Sequence, residues 1–270
     1  MIGDVKMTAQ QLPDIDIDAV LEMLPAQTTL ELTSQFLREH AIEHSASTWE
    51  QMINDRIRPA LSSGKLLKLE FIKFAVEAEE HGNQHVFLFS APDIQKIDDL
   101  FDSKSLAKRL EKLKDWPTLN VYSVAQNTKQ QKIVEVRLDK IAGYSELVIK
   151  TVEPRKYKKN RQERELNGKF IVTHDLVEYR AVNVAKLNSR GQLEIRIFSH
   201  KHSTSYERDL ERFWGTIDGL LRKWHFSEHS LLLLRDALWN DQYRKDMKGK
   251  MGVRNSQLLN INGNRLRVAS

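Results

Sequence analysis

Val134-Glu135-Val136-Arg137-Leu138 alternates apolar and charged side chains over five positions, and Leu193-Glu194-Ile195-Arg196-Ile197 repeats the pattern further along. A period of two sends successive side chains to opposite sides of an extended backbone. Both stretches therefore read as half-buried β-strands, apolar face inward and charged face to solvent. Leu147 to Val152, Lys169 to Thr173 and Val177 to Val184 join them as strands, and Asn188-Ser189-Arg190-Gly191 reads as the turn before the last one. The intervals leave too little room for crossover helices, so a mainly antiparallel sheet is expected.

On either side of this stretch the period changes to that of helices. Thr28-x-x-Glu31 and Ser47-x-x-Glu50 fit capping boxes, and Leu67, Phe71, Phe74, Ala75 and Ala78 recur at helical spacing before a stop at Gly82. Val86-Phe87-Leu88-Phe89 is a short apolar strand. Ala91-Pro92-Asp93 then opens a helical stretch to Phe101, and a further helix capped by Ser103 ends near Asp115-Trp116-Pro117. Downstream, Thr204-x-x-Glu207 starts a long helix whose stripe runs through Tyr206, Leu210, Phe213, Trp214, Ile217, Leu220, Leu221 and Trp224. Ser227 is positioned to cap a second helix carrying Leu231, Leu234, Leu238 and Trp239, and Asn262-Gly263 signals a closing hairpin. Trp214, Trp224 and Trp239 fall on the expected core faces. The fold class that follows is α+β: a helical N-terminal region, then a mainly antiparallel sheet backed by C-terminal helices. The expected division is 1–117, acidic and mainly helical with one short strand, and 118–270, basic, with the sheet, a helix pair and the hairpin.

Composition narrows the function. The chain has 270 residues and no cysteine, which excludes disulfides, thiolate nucleophiles and cysteine-bound metal. No apolar run reaches the length of a membrane span, and Met1 to Pro13 has no secretory pattern, so a cytoplasmic protein that does not cross a membrane is expected. Charge is polarised: residues 1–100 carry 17 Asp and Glu against 8 Lys and Arg, and the rest of the chain carries 34 Lys and Arg against 20 Asp and Glu. A basic rear of this kind attracts phosphates or acidic partners.

The densest basic run lies between two expected strands and reads as an exposed connection. Arg155, Lys156, Lys158, Lys159, Arg161 and Arg164 supply six cations against Glu163 alone, with Tyr157 available to stack on a base. A second basic region holds Arg244, Lys245, Lys248, Lys250 and Arg254, continuing to Arg265 and Arg267. Together they point to a non-catalytic protein that binds DNA or RNA through phosphates. Two other readings stand behind it: an assembly subunit that uses the acidic front and basic rear to pair with another protein or its own copies, and a metal-dependent nuclease built from dispersed carboxylates such as Asp139, Asp175 and Glu178. The second of these finds little support, because no Glu-x-Lys occurs, and an arginine in that place is too basic to titrate. Phosphate-loop, dinucleotide, zinc-protease and serine-hydrolase motifs are absent. His200-x-His202 and the pair Glu77 and His81 each fall short of a metal ligand set, so no metal or cofactor is expected.

Overall fold

The computed structural model describes residues 15–82, 84–125, 127–141, 143–166, 169–199, 206–229, 252–254, 257–259 and 265–267. The described residues open on α1 (Ile17–Gln27), whose N-terminus is capped by Asp16, and α2 (Leu30–Glu39). Next comes one continuous helical stretch made of α3 (Trp49–Gln51), the π-helical Met52–Ile57 and α4 (Arg58–Ser62). Pro59 accounts for the π segment: it has no N–H to give and its ring crowds the carbonyl four residues back, so the ladder widens and Arg58 N–H reaches Ile53 O. α5 (Lys68–His81) ends at Gly82, as the sequence predicts, although the reason is close packing. A Cβ on Gly82 would stand 2.5 Å from Gln27 O, at the end of α1.

Helix starts differ from the expectation by one residue. Thr28 closes α1, and it is Thr29 whose hydroxyl accepts from Leu32 N–H at 3.2 Å. Thr48 rather than Ser47 caps α3, and Asp102 rather than Ser103 caps α6 (Ser103–Glu111). In each case neighbouring residues both carry a capping side chain, and only the backbone conformation selects between them. The stretch after Ala91 forms two 3-10 turns, Ile94–Lys96 and Asp98–Phe101, in place of a longer helix.

Six strands, β1 (Gln84–Ser90), β2 (Lys132–Ile141), β3 (Tyr144–Leu166), β4 (Lys169–Asn188), β5 (Gln192–Phe198) and β6 (Ser227–Glu228), form one antiparallel sheet in the order β2-β3-β4-β5-β1-β6. β1 comes from the N-terminal segment yet lies between β5 and β6, so chain from both sides of residue 117 builds the sheet. The turn at Asn188 to Gly191 forms as expected, with Gly191 at φ +83 and its N–H bonded to Asn188 O at 2.9 Å.

α7 (Tyr206–Ile217) is shorter than its stripe suggests. Asp218-Gly219 are poor helix formers, and the chain turns there with Gly219 packed against Leu113 and Trp116. Leu220 and Leu221 still reach the core, but Trp224 falls out of register with it and is 67% exposed. Ser227 starts the edge strand β6 instead of capping a helix. Leu231 to Trp239 lie outside the described residues. A separate antiparallel ribbon joins β7 (Gly252–Arg254), β8 (Gln257–Leu259) and β9 (Arg265–Arg267). Its β8 and β9 flank residues 260–264, as a turn at Asn262-Gly263 requires; that turn itself lies outside the described residues.

The layers have separate cores. One sheet face packs Val136, Leu147, Ile149, Ala185, Leu193, Ile195 and Ile197 against Leu106 and Leu110 of α6 and Leu210, Phe213, Trp214 and Ile217 of α7. The helices α1 to α5 close around their own core of Val20, Leu24, Leu37, Met52, Ile57, Phe71 and Ala75, joined by Tyr122 and Val124. Among the described residues no helix is long and apolar enough to cross a membrane.

Candidate functional site

Between the α5 layer and the sheet lies a sheet face that the alternation assigns to solvent, and the structure buries it. Glu135, Arg137 and Asp139 on β2 and Lys150 on β3 meet Glu79 and Glu80 from the end of α5, and all six are buried. Lys150 Nζ donates to Ser123 O at 2.6 Å and lies 2.8 Å from Glu135 Oε2 and 3.3 Å from Glu79 Oε2, so each of its three protons has an acceptor. The Arg137 guanidinium reaches Asp139 at 2.8 Å, Glu80 at 2.6 Å, and Glu135, with its Cζ 5.0 Å from the centre of the Tyr122 ring. Burial alone would drive these groups toward neutrality. At Glu80 that penalty is outweighed by Arg137 and Lys186, which hold its carboxyl well below the usual range, while Glu80 and Glu135 raise Arg137. A small island of Val134, Val148, Val152, Val182 and Val184 completes the interface.

His81 sits at the border of this layer with cations on both sides. Lys186 Nζ is 3.1 Å from its Nε2, and Arg196 Nη1 is 2.6 Å from its Nδ1. Burial first, then these two cations, push its pKa down to about 3, so the ring is neutral at physiological pH. A neutral imidazole accepts at one nitrogen only, so only one of the two cations can donate to it at a time.

The sequence did carry a signal for this second buried face. Leu147-Val148-Ile149 and Val182 to Ala185 are largely apolar on both sides of the strand, a pattern belonging to sheets covered on both faces. The charged residues between them hid it.

The expected connection at 155–164 is a correction: it is strand. β3 and β4 continue as a two-stranded ribbon after their neighbours leave. β2 pairs no further than Lys132↔Val152, and β5 no further than Val184↔Arg196. From Glu153 to Leu166 and from Lys169 to Asn183 the two strands pair with each other, through a bulge that sets Asn160 and Arg161 against His174. The part beyond the root, Lys156–Leu166 on β3 and Lys169–Glu178 on β4, spans about 35 Å.

The root of the ribbon is held on both faces. On the α7 side, Arg155 pairs with Glu153 and with Asp209 at 3.3 Å, Arg212 lies 3.1 Å from Glu153 and 2.8 Å from Asp209, and Asn183 donates to Glu153 at 3.2 Å. On the α5 side, Arg180 stands 2.5 Å from Glu79, and Gln27 donates to the Arg180 carbonyl at 3.4 Å. Arg155 is thus buried in the clamp that orients the ribbon and is not presented to a partner.

Lys156, Tyr157, Lys158, Lys159, Arg161 and Arg164 all fall on the projecting part of β3. Lys156 is exposed and lies 3.3 Å from Glu178; Tyr157 stands opposite Val177, Lys158 opposite Leu176, Lys159 opposite Asp175 and Arg164 opposite Ile171. Arg254 is on β7, while Arg244, Lys245, Lys248 and Lys250 lie outside the described residues. The carboxylates considered for a nuclease do not converge. Asp139 is in register with Glu146, which pairs with Asn188, and Asp175 is thirteen residues back along β4, about 43 Å away. Among the described residues no group of three His, Asp or Glu side chains is placed to hold a metal ion; His200 and His202 lie outside them. Comparison with family models, curated proteins and solved structures finds no match for this chain.

Proposed function

We propose that this chain binds nucleic acid without catalysing a reaction on it, and that the β3–β4 ribbon is the binding element. The observation that carries the reading is the ribbon itself: a strand pair that leaves its sheet and bears Lys156, Lys158, Lys159, Arg161, Arg164 and Lys169 over that length. A two-stranded ribbon fits the major groove of B-form DNA, about 12 Å wide, and cations spaced along it reach phosphates on both sides. A hairpin without a sheet around it is marginal in water, so a partner that covers it also stabilises it. The basic C-terminal region, Arg244 to Arg254 and onward, adds to the positive charge of the chain.

The register also limits the affinity. Glu178 stands opposite Lys156 and lies 3.3 Å from it, so part of the positive charge seen in the linear run is neutralised across the ribbon. Binding should therefore be salt-sensitive and largely indifferent to sequence, each phosphate contact contributing about −0.9 to the slope of log K against log salt. The test is fluorescence anisotropy of the full chain with labelled duplex and single-stranded DNA and RNA over a salt series. Replacing Lys159, Arg161 and Arg164 together by Glu should weaken binding at least about tenfold and flatten the salt slope while leaving the melting temperature unchanged. Unchanged affinity in that variant would take the ribbon out of the reading.

A further inference from the structure

The ribbon stands out from the sheet as a lever, and the side chains at its root fix where it points. A two-stranded hairpin is marginal in water by itself, so its direction has to be imposed from outside the strand pair. Both layers of the protein impose it. On the α7 side, Glu153 of β3 and Asp209 of α7, both buried, share Arg155 and Arg212. Arg155 pairs with Glu153 and lies 3.3 Å from Asp209, while Arg212 lies 3.1 Å and 2.8 Å from the same two acids. On the α5 side, Glu79 reaches Arg180 of β4 at 2.5 Å. There the carbonyls of Val182 and Arg180, on the part of β4 that β5 has left, accept from the side chains of Gln84 and Gln27, each at 3.4 Å.

The two anchors come from different cores. Asp209 and Arg212 belong to α7, which packs on the sheet, whereas Glu79 and Gln27 belong to α5 and α1 of the N-terminal helical core. Gripped from both sides, the strand pair tilts toward one layer only by pulling away from the other. Length magnifies what the root controls. Over about 35 Å, a tilt of about 10° carries the tip about 6 Å, nearly two base-pair steps of about 3.4 Å.

We propose that Asp209 and Glu79 are positioning residues for nucleic-acid binding. Both are buried, so neither meets the ligand; each fixes one face of the root and so presents the ribbon in its binding direction. This role rests on the ribbon being the binding element. The gain is preorganisation: a ribbon that holds the binding direction for a fraction of the time binds with its affinity reduced to that fraction.

The charge of Asp209 makes the test a matter of sign. Asp209→Asn removes an acid, so the field alone would strengthen binding to a phosphate backbone, whereas lost positioning weakens it. By fluorescence anisotropy with labelled duplex DNA, affinity should fall about three- to tenfold. The slope of log K against log salt should not change, because the same cations reach the phosphates, and Asp209→Glu should restore most of the affinity. Direction is read separately. The chain has no cysteine, so Glu165→Cys near the tip and Lys108→Cys on α6, both exposed, carry a pair of spin labels cleanly. Their distance distribution in the full chain should be as narrow as that of a reference pair at Lys108 and Glu50. It should broaden with Asp209→Asn, the fraction left at the original distance matching the fraction of affinity left. Arg212→Gln, at a half-exposed side chain, weakens the same anchor if Asp209→Asn does not fold, and Arg180→Gln releases the Glu79 anchor; each should broaden the distribution. A broad distribution in the wild type, a narrow one in all three variants, or an Asp209→Asn affinity equal to or above that of the wild type would overturn the proposal and leave the function in place. A wild type that binds none of the labelled nucleic acids overturns both.

Discussion

β2 and β3 present Val136, Leu147 and Ile149 to α6 and α7, and Glu135, Arg137 and Lys150 to α5. Both faces of this one sheet are out of water, but different physics keeps them there. The apolar face is held by area removed from water, a non-directional gain that tolerates repacking. The charged face depends on each ion meeting its partners: two charges in a low-dielectric layer lose several kcal/mol of hydration apiece and recover it only through good geometry. Such a layer joins the N-terminal helices to the sheet in one register, and it fails abruptly when one member is removed. The contrast shows that alternation in a strand reports the chemistry of its two sides and leaves open whether the charged side is wet.

The strongest challenge to that contrast is Lys150→Met. Methionine is close in volume, so packing is retained while Glu79 and Glu135 lose the buried cation that lies between them. Stability should fall by about 3–5 kcal/mol in a denaturant titration. A loss under about 1 kcal/mol would mean that water reaches the layer and that the two faces do not differ as described.

A smaller effect sharpens the comparison through pH. The unfolded His81 ring titrates near its ordinary value of 6.5, while in the fold, between Lys186 and Arg196, it is pushed down to about 3. Between those values the unfolded chain binds the extra proton. The contribution of the neutral ring is therefore complete above pH 6.5 and is lost as pH falls toward 3, at up to about 1.4 kcal/mol per pH unit. Thermal melts from pH 7 to pH 5 should show this slope, and His81→Gln should flatten it; His85, also lowered by burial, leaves a remainder of the same sign. An unchanged slope in the variant would place the acid sensitivity elsewhere.

The least disruptive change belongs to the apolar face. Ile195→Val removes one methylene from the core against α7 and should cost about 0.5–1.5 kcal/mol, with no dependence on pH over the same range. Pairing it with His81→Gln should give additive losses, because the two sides of the sheet share no partner.

Legibility followed the range of the interactions. The strands at Val134 to Leu138 and Leu193 to Ile197 and the turn at Gly191 could be read because a local pattern determines each of them; the helix end at Gly82 was legible too, although close packing against Gln27 is what requires the glycine. Helix caps at Thr29, Thr48 and Asp102 were missed by one residue, where neighbouring side chains compete for the same role. The basic run at 155–164 was read as a loop because its polar composition resembles one. Its strand character comes from pairing with residues up to twenty-four positions away, such as Tyr179 opposite Arg155. Arg155 shows the limit for function most clearly: in the sequence it is one of six cations, and in the fold it is buried against Glu153 and Asp209 at the root of the ribbon.

By itself the sequence determined the α+β class, the antiparallel sheet and the concentration of positive charge behind residue 100, because periodicity and composition act over a few residues or over the whole chain. Only the tertiary structure decided that Glu79, Glu80, Glu135, Arg137 and Lys150 leave water together, and that β3 and β4 outrun their sheet as a ribbon. The physical reason is that hydration and strand pairing belong to pairs of groups brought together across the fold, and an ion's cost or a strand's reach depends on a partner that lies far off in the chain.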